Sequence, residues 1–235
     1  MKKHYLLLLS ILLISNFALA QNVNIQLHYD TRHSLYGLGE RNYLTSTVEM
    51  FNVDRWGDTF FFIDMDYNGD KGIGMAYWEI ARNLRFWEAP VALHLEYNGG
   101  LSSNYSFGNA YLIGAAYIWD NATFNQGFSI SLNYKYIEKT MDNRPHNYQI
   151  TAVWYLHFYN KLLSFTGFAD FWRQTTATGN FIFLSEPQLW VNLNKINGIP
   201  NDFNLSLGSE VKLSWNFLGK DGFYAIPTIG MKWTF

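Results

Sequence analysis

The chain has no cysteine. Disulfides and thiolate metal sites are excluded with it. Proline is scarce, five in 235 residues, and charged residues make up only 15%. The formal charge is −2, with no basic patch, so nucleic acid is not an expected partner. Beyond residue 20, no apolar run approaches the roughly 18 residues that a spanning helix needs. Neither a G-x-S-x-G elbow nor an H-E-x-x-H pair occurs. No cofactor or metal site is expected. What the chain does have is apolar and aromatic content, 49% and 19%, at a mean hydropathy of only −0.12. So much greasy surface without a long apolar run requires dispersal along short alternating segments.

The first twenty residues stand apart. Met1-Lys2-Lys3-His4 is basic, Tyr5 to Ile14 is nearly unbroken apolar sequence, and Ala18-Leu19-Ala20 ends in small residues. This pattern predicts a cleaved signal peptide over residues 1–20 and a mature chain of about 215 residues. Loss of Lys2 and Lys3 would take the charge from −2 to about −4. Residues 21–235 read as one domain, without linker or low-complexity segment.

Period-two alternation dominates that domain. In the last stretch, Ala225, Pro227, Ile229, Met231, Trp233 and Phe235 form one apolar face, and Tyr224, Thr228, Gly230, Lys232 and Thr234 a wetter one, with Ile226 the exception. Between Gln126 and Ile137, Phe128, Ile130, Leu132, Tyr134 and Tyr136 oppose Ser129, Ser131, Asn133 and Lys135. About twelve such segments are divided by turn signals, with ten the competing count. Among them, Val91–Tyr97 is followed by a loop over Asn98–Phe107, and Phe181–Leu193 is one uninterrupted strand. Thr31–Arg41 reads as a loop and Asp54–Gly57 as a tight turn. These features predict an all-β, closed antiparallel transmembrane β-barrel: backbone groups in lipid must be satisfied within the protein, so strands close on themselves. An even count puts both termini on the periplasmic side, and the location expected is the bacterial outer membrane.

Register is fixed by the two solvents, because a slip of one residue would move Lys135 into lipid. The polar alternates are therefore assigned to the lumen: His28, Glu49, Asp64, Asp66, Glu79, His94, Glu96, Lys135, His157, Asp170, Glu186, Gln188, Glu210, Lys212 and Lys232. Trp87, Trp119 and Trp215 suit interfacial girdles. Some carboxylates are expected to pair with Lys135, Lys212 and Lys232, or with Arg55, Arg82 or Arg85 near the rim. Each lumenal side chain has a scaffold reading, as an ion-pair strut or space filler, beside a solute-selecting one.

Thr47-Val48-Glu49-Met50-Phe51, then Asp54-Arg55-Trp56-Gly57-Asp58-Thr59-Phe60-Phe61-Phe62-Ile63-Asp64, resembles the Tsx family of nucleoside-specific channel-forming outer-membrane proteins. Ser164-Phe165-Thr166-Gly167-Phe168-Ala169-Asp170-Phe171-Trp172 is similar to another strand of that family. The likeness is nearest to a Tsx-like branch found in Bacteroidetes. It implies a twelve-strand barrel with a narrow lumen of aromatic and polar steps, passing solute by diffusion through weak sites. Aromatic candidates for stacking a base are Phe60, Phe62, Tyr77, Tyr155, Phe168, Trp172 and Trp190. Carboxylate candidates for the ribose are Glu49, Asp64, Glu79, Asp170 and Glu186. Connections are shorter than in Tsx. The partners expected are outer-membrane lipids, the barrel-assembly machinery acting on the C-terminal strand that ends at Phe235, and a small polar solute, in particular a nucleoside. Two other classes stay open. One is a plugged structural or adhesion barrel, and the other is a lipid-modifying enzyme, for which no oriented nucleophile and base are evident.

Overall fold

The computed structural model describes residues 21–36, 43–67 and 72–235. The signal-peptide expectation, the later part of the first loop at 37–42 and the tip at 68–71 lie outside the described residues. In chain order the elements are β1 Gln21–Asp30, α1 Arg32–Tyr36, β2 Leu44–Asp54, β3 Gly57–Tyr67, β4 Ile73–Leu84, β5 Val91–Ser102, β6 Ala110–Asp120, β7 Gln126–Ile137, β8 His146–Phe158, β9 Leu163–Arg173, β10 Phe181–Ser185, β11 Gln188–Asn192, β12 Leu205–Trp215 and β13 Phe223–Thr234. All belong to one sheet apart from α1. Every paired neighbour is antiparallel, and β13 pairs back onto β1 with Ile25 opposite Trp233 and Leu27 opposite Met231. The sheet is thereby a closed barrel without free edges.

Thirteen strand segments make twelve staves, because β10 and β11 both lie between β9 and β12. They are halves of one stave, divided at Glu186-Pro187. Pro187 has no N–H to give the ladder. Its neighbours stay bonded: Glu186 N donates to Phe168 O at 3.1 Å, and Val211 N to Pro187 O at 2.9 Å. The expected unbroken strand over Phe181–Leu193 is corrected accordingly. So is the loop expected from Asn98, since β5 runs on to Ser102. Gly99 and Gly100 are held there by aromatic cover. A Cβ on Gly99 would meet the Trp78 indole at 2.8 Å, and one on Gly100 the Phe107 ring at 2.2 Å. The first loop opens with a helical turn, α1, anchored where Arg32 grips Asp30 at 2.8 Å.

The two faces are solvated in reverse of a water-soluble protein. On β7, Leu132 is 61% exposed and Asn133 only 1%. At the seam, Ile229 is 70% exposed and Gln26 1%. Among the described residues the buried apolar cluster is Ala110, Leu112 and Ile137. No dry core holds this sheet. Its outer apolar band needs lipid, and Trp87, Trp119 and Trp215 stand exposed near stave ends as interfacial anchors.

Candidate functional site

Residues opposite one another in an antiparallel pair share a face. The registers carry one inner row around the barrel: Gln26 opposite Thr47, Thr47 opposite Asp64, Asp64 opposite Tyr77, Glu79 opposite Asn98, Leu112 opposite Lys135, and Thr151 opposite Asp170. All fifteen side chains assigned to the lumen from the sequence fall on this inner face, as do the seven aromatic candidates.

The wall formed by β11, β12, β13 and β1 is tightly knit. Trp190 is fully buried. Its Nε1 donates to Gln188 Oε1 at 2.9 Å, its ring meets His28 edge-on at 5.7 Å, and Lys232 Nζ lies 4.5 Å above it. Gly208, opposite Trp190 in register, makes the room: a Cβ there would come within 2.6 Å of the indole. Gln26 accepts from Gln188 at 3.3 Å and contacts His28 Nε2 at 2.9 Å. It donates to Asn24 at 2.9 Å, and Asn24 donates to Glu49 at 3.0 Å. Gln188 also donates to Glu210 at 2.8 Å, and Lys212 pairs with Glu186 at 2.6 Å.

On β3 and β4 an aromatic ladder runs beside carboxylates. Phe60 to Phe62 and Phe62 to Tyr77 are each 6.0 Å between centroids. Tyr77 donates to Glu79 at 2.6 Å, Thr47 to Asp64 at 2.5 Å and Thr45 to Asp66 at 2.7 Å. These side chains, Asp66 apart, are half-buried although they line the inside of the tube.

The wall from β5 to β9 is different. Lys135 Nζ donates to neutral Gln149 at 2.6 Å and sits 4.7 Å over Trp172. The ion pair expected for Lys135 is not formed within contact distance. It instead feels Asp170, Glu96 and Glu79 from further off. His94 joins Glu96 Oε2 at 3.0 Å and Asn83 at 2.8 Å. Glu96 Oε1, Asn98 Oδ1, Asn133 Oδ1 and Asp170 Oδ1 are buried with no hydrogen-bond partner in the protein.

The structure thus groups Phe60, Phe62, Tyr77 and Glu79 on one wall, Asp170 and Trp172 beside Lys135, and Glu49 with Trp190 through Asn24, Gln26 and Lys232. Phe168 lies on β9 two residues from Asp170, and Glu186 joins Lys212. Tyr155 stands apart, donating to Asp120 at 2.7 Å near the end that carries the termini. Asn133 and Gln26 lie on the polar faces that the alternation gives them, whereas Asn98 and Gln149 were not among the expected lumenal residues. Their place in the alternation was the available signal.

Outside the spanning staves, Asp142 in the β7–β8 connection accepts from Thr175 at 2.6 Å and from Arg173 at 3.0 Å. Thr175 first, then Arg173 and the Arg144 amide, hold its carboxyl far below the usual range. This latch ties two connections at the end opposite the termini. Among the described residues no set of three His, Asp or Glu side chains could hold a metal ion.

A closed twelve-stave tube, apolar outside and hydrogen-bonding within, is a transmembrane β-barrel of the bacterial outer-membrane type. The chain belongs to the family described as "Domain of unknown function (DUF5020)", which matches residues 20–235. No curated protein matches it. Among solved structures it is similar to the NanC porin, at 10% identity and a TM-score of 0.55, covering 90% of this chain and 98% of that one. It is also similar to the KdgM porin in complex with disordered oligogalacturonate, at 9% identity and a TM-score of 0.50, covering 91% and 99%. At that identity the likeness is one of fold.

Proposed function

We propose that this chain is an outer-membrane channel for passive uptake of small polar solutes, with nucleosides as the solute class. The observation that carries the channel reading is the largely polar, hydrogen-bonding lining on the inner face of a closed barrel. Support for nucleosides is the Phe60–Phe62–Tyr77 ladder flanked by Glu79 and Asp64. A base stacks on such faces at about 1–3 kcal/mol each, and carboxylates accept from ribose hydroxyls. The resemblance to Tsx points the same way. Lumenal carboxylates outnumber Lys135, Lys212 and Lys232, so a polyanion such as the oligogalacturonate held by the KdgM porin is repelled here. The barrel-assembly machinery takes the chain at β13, and the chain has no catalytic role.

Planar-bilayer recordings test the reading. Purified mature protein conducts small ions, and added nucleosides reduce the current. A reconstituted barrel without conductance makes it a plugged structural barrel. Conductance that nucleosides leave unchanged removes that solute and keeps the channel.

A further inference from the structure

The four partnerless lumenal oxygens do not fit a purely structural wall. Buried polar atoms are ordinarily satisfied within the fold. Here each unsatisfied lumenal atom from β5 to β9 is an acceptor; the unsatisfied donor of these staves, Trp154 Nε1 on β8, is on the outer face. Asn98 is 5% exposed, Asn133 1% and Asp170 8%, and the Glu96 side chain 6%. They surround an uneven set of charges. Glu79, Glu96 and Asp170 act electrostatically on one another and on Lys135, the single ammonium among them. Three carboxylates stand round that one ammonium. Lys135 spends its contact on Gln149 and Trp172 and leaves the free oxygens unserved.

The complement to this arrangement is a ligand that brings only donors and positive charge. Among the described residues no three acidic or histidine side chains converge as metal ligands. The free acceptors fall in two groups. Glu96 and Asn98 are on β5, and Asp170 is on β9, four staves away. Lys135 and Asn133 on β7 lie between. A ligand that serves both groups must place positive charge on each side of Lys135. Two ammonium ends on a methylene chain do so, each end carrying three donors and no acceptor. We propose that the β5–β9 wall of the lumen is a binding site for linear aliphatic diamines. The free acceptors lie outside the aromatic ladder, which the site adjoins at Glu79, and binding there does not require that the barrel conduct.

Isothermal titration calorimetry of the refolded mature protein in detergent, with putrescine as the probe, tests this. Saturable one-site binding is expected at an ionic strength where K⁺ and Mg²⁺ give no comparable heat. Asp170→Asn and Glu96→Gln each weaken it at least tenfold. Folding is verified by heat-modifiable gel mobility. If one variant fails to fold, the other carries the comparison, and wild-type putrescine against K⁺ stands without either. Absence of putrescine binding, equal binding of K⁺, or unchanged binding in both variants overturns the site. A barrel that conducts but does not bind putrescine loses this site alone. One that binds putrescine but carries no current loses the channel reading alone.

Discussion

Two walls of the same lumen are built to opposite standards. From β11 round to β1, large side chains are bonded to one another: Trp190 to Gln188, Gln188 to Gln26 and Glu210, and Gln26 to Asn24. From β5 to β9, four oxygens are left without partners around Lys135. Both walls are equally deep in the tube, so burial does not explain the difference. A wall that saturates its own hydrogen bonds has little left to offer a solute. One that leaves acceptors open stores the capacity for contact, at a cost in stability. The first acts as scaffold and the second as the receptive surface.

Mutations that separate the walls test this contrast. Trp190→Ala is expected to have the largest effect, a loss of about 3–5 kcal/mol, since the indole fills the space over Gly208 and supports Lys232. Urea unfolding from lipid vesicles measures it. Asp170→Asn is expected to change stability by no more than about 1 kcal/mol, and toward greater stability, because it removes a buried charge whose free oxygen has no partner. If the same unfolding assay showed losses like those of Trp190→Ala, the two walls would be equivalent scaffolds. Next, Asp64→Asn combined with Asp170→Asn is expected to bring the cation-over-anion permeability ratio toward unity, read from reversal potentials in a salt gradient. An unchanged ratio would leave both carboxylates as struts.

The smallest effect belongs to the Asp142 latch. Its carboxyl is held below the ordinary value, so its contribution is present above about pH 4 and fades as the pH falls further. Protection from amide exchange in residues 138–145 and 174–180, taken relative to the intrinsic rate at each pH, should therefore fall in acid. Asp142→Asn should remove that acid dependence while leaving the staves protected.

Most of the barrel was legible because two solvents impose one rule on every stave. Alternation alone gave β7 its bounds, Gln126–Ile137, and put Lys135 and Asp170 inside. It failed where a local signal contradicts the wall. Asn98-Gly99-Gly100 has the composition of a turn, yet a polar residue belongs on the inner face, and Trp78 and Phe107 cover the glycines. Pro187 looked compatible with a continuous strand, because a ring without an N–H leaves no mark on hydrophobic period. Contacts across non-adjacent staves were out of reach. Nothing in local sequence tells Gln188 that it will meet Gln26, 162 positions away. The pairing depends on how closure brings β11 within reach of β1.

The seam has a practical corollary. Phe235 N donates to Val23 O at 2.9 Å, so the chain's end meets a residue near the start of β1. A short tether could join residue 235 to residue 21, and the ring could be cut instead at the Tyr159–Lys161 hairpin between β8 and β9. Such a permutant keeps Phe235 against lipid but no longer presents it as a terminus. It would separate the contact of Phe235 with lipid from the capture of a free C-terminal strand that we propose for the assembly machinery.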